Sequence, residues 1–287
     1  MEAAGKRWIT YGSRASEFTI WNLSDLHLMS AACAEKDLLQ DVEQIRNDPC
    51  SFWMGGGDYC DFIGYSDRRF DPDAVADWVS IKDLGKLGRI GMRRVRDILA
   101  PIQHKGLGLL LGNHEKQYAL RTEQEDLHGW LCQELDLPNL QYCALFDLIF
   151  ARRPGVKGPR SSFSPPEKHT GDSSTIRVFA HHGAGYAQTP GGKLNRLVQF
   201  MQSFRADIFF CGHVHDKVGR KEPTIGANRD CTKLEAYEKV GVIAGSYLKT
   251  YAQGTTTYGE QRGYRPTSLG AAWVRYNPKT GKFAAEV

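Results

Sequence analysis

Five short polar motifs, each placed where an apolar run ends, constrain this chain more than anything else in it: Asp25-Leu26-His27, Gly57-Asp58, Gly112-Asn113-His114-Glu115, His181-His182 and Gly212-His213-Val214-His215. Apolar runs that stop abruptly at such residues read as buried strands handing polar side chains to one edge of a sheet, which is where open α/β sheets place their sites. The motifs supply two Asp, one Asn and several His. Carboxylate, amide and imidazole donors together suit a pair of borderline divalent cations, and dinuclear sites commonly serve the hydrolysis of phosphate esters.

The runs themselves predict a β-α-β opening: a strand over 18–23, a helix carrying Leu38, Leu39, Val42 and Ile45, and a strand over 51–54. Further strands are expected at 107–111, 176–180 and 208–211. Leu194, Leu197, Val198, Met201 and Phe204 mark the inner face of an amphipathic helix between the last two. Towards the carboxyl end, 242–244 and 272–276 read as strands, followed by a turn and a short final strand. The Pro-, Gly- and Ser-rich stretch 152–174, with Arg152, Arg153, Lys157, Arg160 and Lys168, lies between two strand-like runs and reads as a long hairpin loop. Without an internal repeat or a linker, the chain reads as a single domain over 1–287. It carries a helix-rich insert at about 73–99, with Trp78, Ile81, Leu84 and Ile90 as its inner stripe and Lys82, Lys86, Arg89, Arg93, Arg94 and Arg96 making it basic.

Composition narrows the setting. A 41% hydrophobic content suits a globular core, and a net charge of +4 permits a phosphate-bearing partner without demanding nucleic acid. The seven cysteines are odd in number and form no C-x-x-C pair, which argues against a disulfide framework or a cysteine zinc site and points to a reducing cytoplasm. No stretch approaches the roughly 20 apolar residues of a membrane helix, and residues 1–14 hold no apolar leader core.

Asp25 and His27 are two apart, so on a strand they share a face, and His213 and His215 repeat that spacing. Asp58 follows three glycines, where the backbone can bend and a carboxylate with two oxygens can bridge two ions. With these residues in view, the chain resembles the calcineurin-like metallophosphoesterase superfamily, whose pattern D-x-H, G-D, G-N-H-[D/E], H and G-H-x-H is met between Asp25 and His215. The resemblance implies an α/β (α+β) fold with a two-sheet β-sandwich core flanked by helices. It also implies one metal on Asp25, His27, Asp58 and His215 and a second on Asp58, Asn113, His181 and His213. Manganese is the first choice, and iron, zinc or nickel suit the same donors. In the fourth motif His181 is taken by likeness to relatives reading H-H-P, although His182-Gly183 also aligns with members reading H-G-G. The segment 66–70 resembles bacteriophage and prophage members of the superfamily.

A hydroxide held between two cations is a strong nucleophile at neutral pH, and His114, beside Asn113, is the natural donor of a proton to the leaving oxygen. Gly57-Asp58-Tyr59-Cys60-Asp61 resembles the G-D-x-x-D signature of protein serine/threonine phosphatases, which implies that Asp61 holds His114. Those phosphatases continue with Arg-Gly where this chain has Phe62-Ile63, so their grip on a phosphomonoester is absent. Glu115 reads as a helix-start acid favoured by the macrodipole. The stretch 247–265 interleaves Tyr247, Tyr251, Tyr258 and Tyr264 with Lys249, Arg262 and Arg265, a mixture suited to stacking bases and contacting phosphates. His182, Tyr247, Arg262 and Arg265 are therefore the candidate substrate contacts. The expectation is a cytoplasmic dinuclear metal-dependent phosphoesterase acting on a phosphodiester, with nucleic acid or a nucleotide as the leading substrate class. Its rivals are a phosphomonoesterase acting on phosphoprotein or small molecules, and a non-catalytic binding module on the same fold.

Overall fold

The computed structural model describes residues 1–286 except 64–66, 68, 69, 84, 123–125, 168–171, 186, 188 and 229. The strands are β1 (Glu2–Tyr11), β2 (Phe18–Leu23), β3 (Ser51–Gly55), β4 (Gly106–Leu109), β5 (Cys143–Arg152), β6 (Arg160–Ser162), β7 (Ser173–His181), β8 (Ile208–Cys211), β9 (Val218–Ala227), β10 (Leu234–Ile243), β11 (Ala272–Asn277) and β12 (Lys282–Glu286). They form a seven-stranded sheet in the order β6-β1-β5-β7-β8-β10-β9 and a five-stranded sheet in the order β12-β11-β2-β3-β4.

Side-chain alternation explains how the sheets stack. Alternate residues of the larger sheet, such as Phe146, Leu148, Val178, Phe210 and Val242, meet Phe18, Ile20, Phe52, Met54 and Val274 of the smaller one in a shared core. The opposite face of the smaller sheet, with Trp21, Leu23, Trp53 and Leu109, is covered by helices α1 (Glu35–Asn47), α2 (Leu87–Leu99) and α4 (Leu127–Glu134). The opposite face of the larger sheet, with Phe179, Phe209 and Ile243, is covered by Leu197 and Met201 of α5 (Pro190–Ser203). The fold is thus a two-sheet sandwich with helices outside, as the sequence pattern implied. No helix among the described residues is long and apolar enough to cross a membrane, and all seven cysteines are free thiols.

Three local expectations change. Residues 2–11, for which the sequence reading gives no strand, form β1, pairing parallel with β5 and antiparallel with β6; buried Arg7 satisfies itself by donating to Leu107 O (3.0 Å) and Ala4 O (2.7 Å). The ribbon of β9 and β10 extends far beyond 242–244 because its outer part is exposed on both faces and carries no apolar alternation. In the insert, α2 buries Leu87, Met92, Val95 and Leu99, with Trp78 packed against that cluster and Ile90 only half-buried. The side chain of Ile81, and the expected Leu84, Lys168 and most of 66–70, lie outside the described residues. Arg94 forks onto Glu35 (3.1 and 2.5 Å), and Arg96 bridges Asp97 (2.7 Å) and Glu134 (2.9 Å). Two of the arginines of α2, Arg94 and Arg96, are therefore ion-paired.

Candidate metal centre

Every motif falls at the carboxyl end of a strand: Asp25 and His27 after β2, Asp58 after β3, Asn113 after β4, His182 after β7, and His213 and His215 after β8. The loops are laced together through backbone. Asp25 N donates to Gly57 O (2.9 Å), His27 N to Asp58 O (3.1 Å) and Gly212 N to His182 O (2.8 Å). Asn22 Nδ2 crosses the sandwich to Cys211 O (3.0 Å).

The D-x-H and H-x-H spacings act differently from a strand face. Asp25, His27, Asp58, His213 and His215 all have positive φ, at 55°, 46°, 52°, 71° and 50°. Left-handed non-glycine residues cost about 1–3 kcal/mol each and cluster where function fixes them. Five of the ten such residues among those described are these donors. Close approach also demands glycine at Gly112, where a Cβ would lie 2.1 Å from Asp58 N.

Three overlapping donor groups result. Asp25, His27 and His215 offer ligand atoms within 4.8 Å of one another, as do Asp58, His182 and His213, and His27, Asp58 and His114 form a third group that joins the two. Asp25 Oδ2 accepts from Ser24 Oγ (2.5 Å) and His213 N (2.8 Å). Its other oxygen, Oδ1, is buried without any hydrogen-bond partner and faces His215 Nε2 at 3.3 Å, which itself lies 3.2 Å from His27 Nε2. In the second group Asn113 turns its carbonyl oxygen towards Asp58 Oδ2 (3.2 Å), His182 Nε2 (3.0 Å) and His213 Nδ1 (2.7 Å), although the reversed amide would donate to all three. Lone pairs that converge on one another cost energy unless a cation sits among them. The residues present therefore fit two divalent cations, with Asp58 placed between them: its Oδ2 faces His182 at 3.2 Å, and its carboxylate also falls in one group with His27 of the first set.

Electrostatics agree. Burial would raise the Asp25 carboxyl, and the His215 ring outweighs it to hold it at about 2. Burial likewise opposes ionisation of Asp58, and His182 and His114 pull its pKa well below the usual carboxylate range. Both carboxylates stand ionised as hard donors. For His114, burial disfavours the charged ring, and the Asp58 and Asp61 carboxylates outweigh it, raising its pKa above the ordinary histidine value.

Of the expected site residues, the structure brings together Asp25, His27, Asp58, Asn113, His213 and His215, with His114 and Asp61 at the rim. His181 is not among them. Its ring lies against Phe200 at 4.8 Å and its Nδ1 accepts from Gly183 N (2.8 Å), because the β7 pleat turns it outwards under α5 while His182 turns in. His182 takes its place, fully buried, with Nδ1 donating to Gly56 O (2.7 Å). Tyr247 is a second correction: it is 0% exposed in the core, its hydroxyl donating to Asp41 (2.5 Å), so it cannot touch a substrate. Arg262 and Arg265 do line the cleft above the centre.

Asp61 divides its two polar ends. His114 Nδ1 donates to the Asp61 backbone carbonyl (2.6 Å), whereas the carboxylate lies closer to His27 Nδ1 (3.1 Å) than to His114 (3.7 Å). Glu115 does more than start α3 (Asn113–Thr122). Buried at 3% exposure, its carboxylate accepts from Asp58 N (3.1 Å), Tyr59 N (2.7 Å) and Gly112 N (3.0 Å), tying the G-D loop to the G-N-H loop. Burial and the neighbouring Asp58 push its carboxyl up to about 7 against those three donors.

No curated protein matches the sequence. Similar solved structures include a conserved uncharacterized protein of Streptococcus pneumoniae TIGR4, a predicted phosphoesterase, at 11% identity and TM-score 0.32, covering 91% of this chain and 82% of that one. Zinc-complexed Vps29 of Entamoeba histolytica shows 10% identity and TM-score 0.36, with 94% and 97% covered. An NAD nucleotidase of Haemophilus influenzae shows 11% identity and TM-score 0.38, with 95% and 49% covered. The family model described as calcineurin-like phosphoesterase matches residues 18–217, a span that takes in every donor of these groups, and the chain belongs to that family.

Proposed function

We propose that this protein is a dinuclear metal-dependent phosphoesterase whose substrates are phosphodiesters of nucleic acid or nucleotides, working with manganese in a reducing cytoplasm. The reading is carried by one observation: Asp25, His27 and His215 on one side and Asp58, His182 and His213 on the other gather their ligand atoms into compact groups, Asp58 also grouping with His27, and Asp25 Oδ1 is buried there without a hydrogen-bond partner. Asp25, His27, Asp58 and His215 would hold one cation, and Asp58, Asn113, His182 and His213 the other. Bound there, divalent cations supply an activated water and offset charge on the phosphoryl oxygens.

The chain's own residues do the rest. Asp61 O fixes the proton on His114 Nδ1, so Nε2 is the nitrogen that gains and loses the second proton and delivers it to the leaving oxygen. The Asp58 and Asp61 carboxylates favour that charged ring. The Asp61 carboxylate holds His27 by its Nδ1, turning Nε2 to the centre. The donors open into a cleft of 1160 Å³, larger than the roughly 300–1,000 Å³ of small-molecule sites, which favours a diester with groups on both sides over a compact monoester.

Initial rates on bis-p-nitrophenyl phosphate and p-nitrophenyl phosphate, measured with Mn, Ni, Zn and Mg, test the assignment. The diester is expected to turn over faster with Mn, and Asp58→Asn is expected to abolish turnover while the protein stays folded. A clear preference for the monoester overturns the diester reading; full activity in Asp58→Asn overturns the shared ligand.

A further inference from the structure

The segment 248–267 forms a strap along one side of the cleft, and both of its ends stand on the metal centre. Before it, Ser246 Oγ and Tyr247 N both donate to Asp25 O, at 3.0 and 2.9 Å. After it, Ser268 Oγ donates to Asp216, the neighbour of His215, at 2.9 Å, and Ser268 O accepts from Ser246 N at 3.0 Å. Inside the strap, Thr250 Oγ1 donates to Arg265 O (3.0 Å) and Thr267 Oγ1 to Leu248 O (2.7 Å). Thr257 caps the short helix α6 (Tyr258–Gln261) by accepting from Glu260 N (3.0 Å). Polar cross-links thus fix its shape, which leaves its large side chains free to face the cleft.

What those side chains offer is specific. Tyr258 and Tyr264 are 45% and 37% exposed, set edge-on to each other at 6.2 Å, and the Arg262 guanidinium lies 5.1 Å over the Tyr258 ring. Three cations, Lys249, Arg262 and Arg265, stand against one acid, Glu260. All five of these basic and aromatic residues line the cleft, and among the described residues none of the three cations has a carboxylate within ion-pair distance. The exposed parts of such rings bind other flat π systems, and cations without a carboxylate partner bind phosphates; alternated, they suit unpaired bases strung on a phosphate backbone. A duplex presents its phosphates but hides its base faces, so only the cations would be used. The arginines of α2, by contrast, line no part of the cleft.

We propose that the strap binds single-stranded polynucleotide, Tyr258 and Tyr264 stacking bases while Lys249, Arg262 and Arg265 hold phosphates, and so presents a backbone diester to the metal centre. The proposal rests on the phosphodiesterase reading and deepens it.

Fluorescence anisotropy with the Mn-loaded full chain tests it, using a phosphorothioate strand of about 12 nucleotides, within the usual range for one stacking domain, its duplex, and an acidic phosphopeptide. The single strand is expected to bind at least about tenfold more tightly than the duplex. Each of Tyr258→Ala and Tyr264→Ala should weaken it about tenfold, with Phe at either position restoring it. Arg265→Ala should lower the slope of log affinity against log salt by about 0.7. Equal or tighter binding of the duplex or the phosphopeptide overturns the proposal, as does wild-type affinity in both folded Ala variants. Turnover of bis-p-nitrophenyl phosphate by the wild type separates the two readings. Turnover without strand binding removes the strap alone; strand binding without turnover removes the hydrolase.

Discussion

Replacing Glu115 with Gln strikes the protein where two loops of the metal centre are tied together. A helix-start acid acting through the macrodipole is worth about 0.3–1 kcal/mol, whereas the structure assigns this carboxylate three backbone N–H donors. Gln can keep its amide oxygen at the Oε2 position, where it accepts from Asp58 N and Gly112 N. Its NH2 then faces Tyr59 N, and at pH 8, above the value of about 7 at which this buried carboxyl ionises, a charge-assisted bond worth about 1.5–3 kcal/mol becomes a donor against a donor. The two retained bonds lose their charge assistance, at about 1 kcal/mol each. The expected loss is therefore about 3–5 kcal/mol. At about 2–4 °C per kcal/mol for a chain of this size, Tm should fall by about 10 °C. Calorimetry on metal-free protein reads the stability, and titration calorimetry with Mn should show weakened binding, because the Asp58 loop loses its anchor. A cost below about 1 kcal/mol with unchanged Mn affinity would refute the three-bond assignment and return Glu115 to the helix start.

His182→Ala is expected to lose close to one equivalent of bound Mn by elemental analysis, while His181→Ala keeps both; the opposite pattern would reinstate His181 as the ligand. Burial holds the His128 ring at about 4 against its ordinary 6.5, so between those values the unfolded chain binds a proton that the folded chain refuses. Stability is then full above pH 6.5 and falls towards pH 4 by up to about 3 kcal/mol. Urea unfolding across that range should show a flatter acid limb in His128→Gln, and an unchanged limb would exclude His128 as its source.

The parts of the fold that were legible in the sequence are those where one face or both are buried. Residues 18–23, 51–54, 208–211 and 272–276 are strands in place because their apolar runs have no other use. Strand β1 was hidden because Arg7 is buried by satisfying itself on carbonyls, so its charge reads as surface. The outer part of β9 and β10 was hidden because exposure on both faces erases the alternation on which the reading depends. At the site, spacing identified the donors, but the geometry behind the spacing lay elsewhere. Asp25 and His27 converge through left-handed backbone after β2 has ended, which no pattern of residue types two apart distinguishes from a strand face. Tyr247 reads as one of four loop tyrosines, yet its place in the chain is the last residue before the strap leaves the core, where its N–H and hydroxyl are already committed to Asp25 and Asp41.

The choice between His181 and His182 is different, because the signal for it is present in the sequence. Consecutive strand residues face opposite ways, so one histidine must point in, and the parity of β7 decides which. Arg177 is charged and sits on the odd-numbered face, where the structure has it exposed and paired with Asp147 at 2.8 Å. Ile176, Val178 and Ala180 occupy the even-numbered face and enter the inter-sheet core. Continuing that parity for one step past the strand carries His182 inwards and His181 outwards beneath α5. Phe179 argues the other way only if an aromatic residue must face the inter-sheet core, and here a covering helix gives the odd face a second apolar environment. A strand in a helix-covered sheet therefore tells its inner face by where charge is tolerated, and a likeness to H-H-P relatives is outweighed by a single arginine four residues upstream.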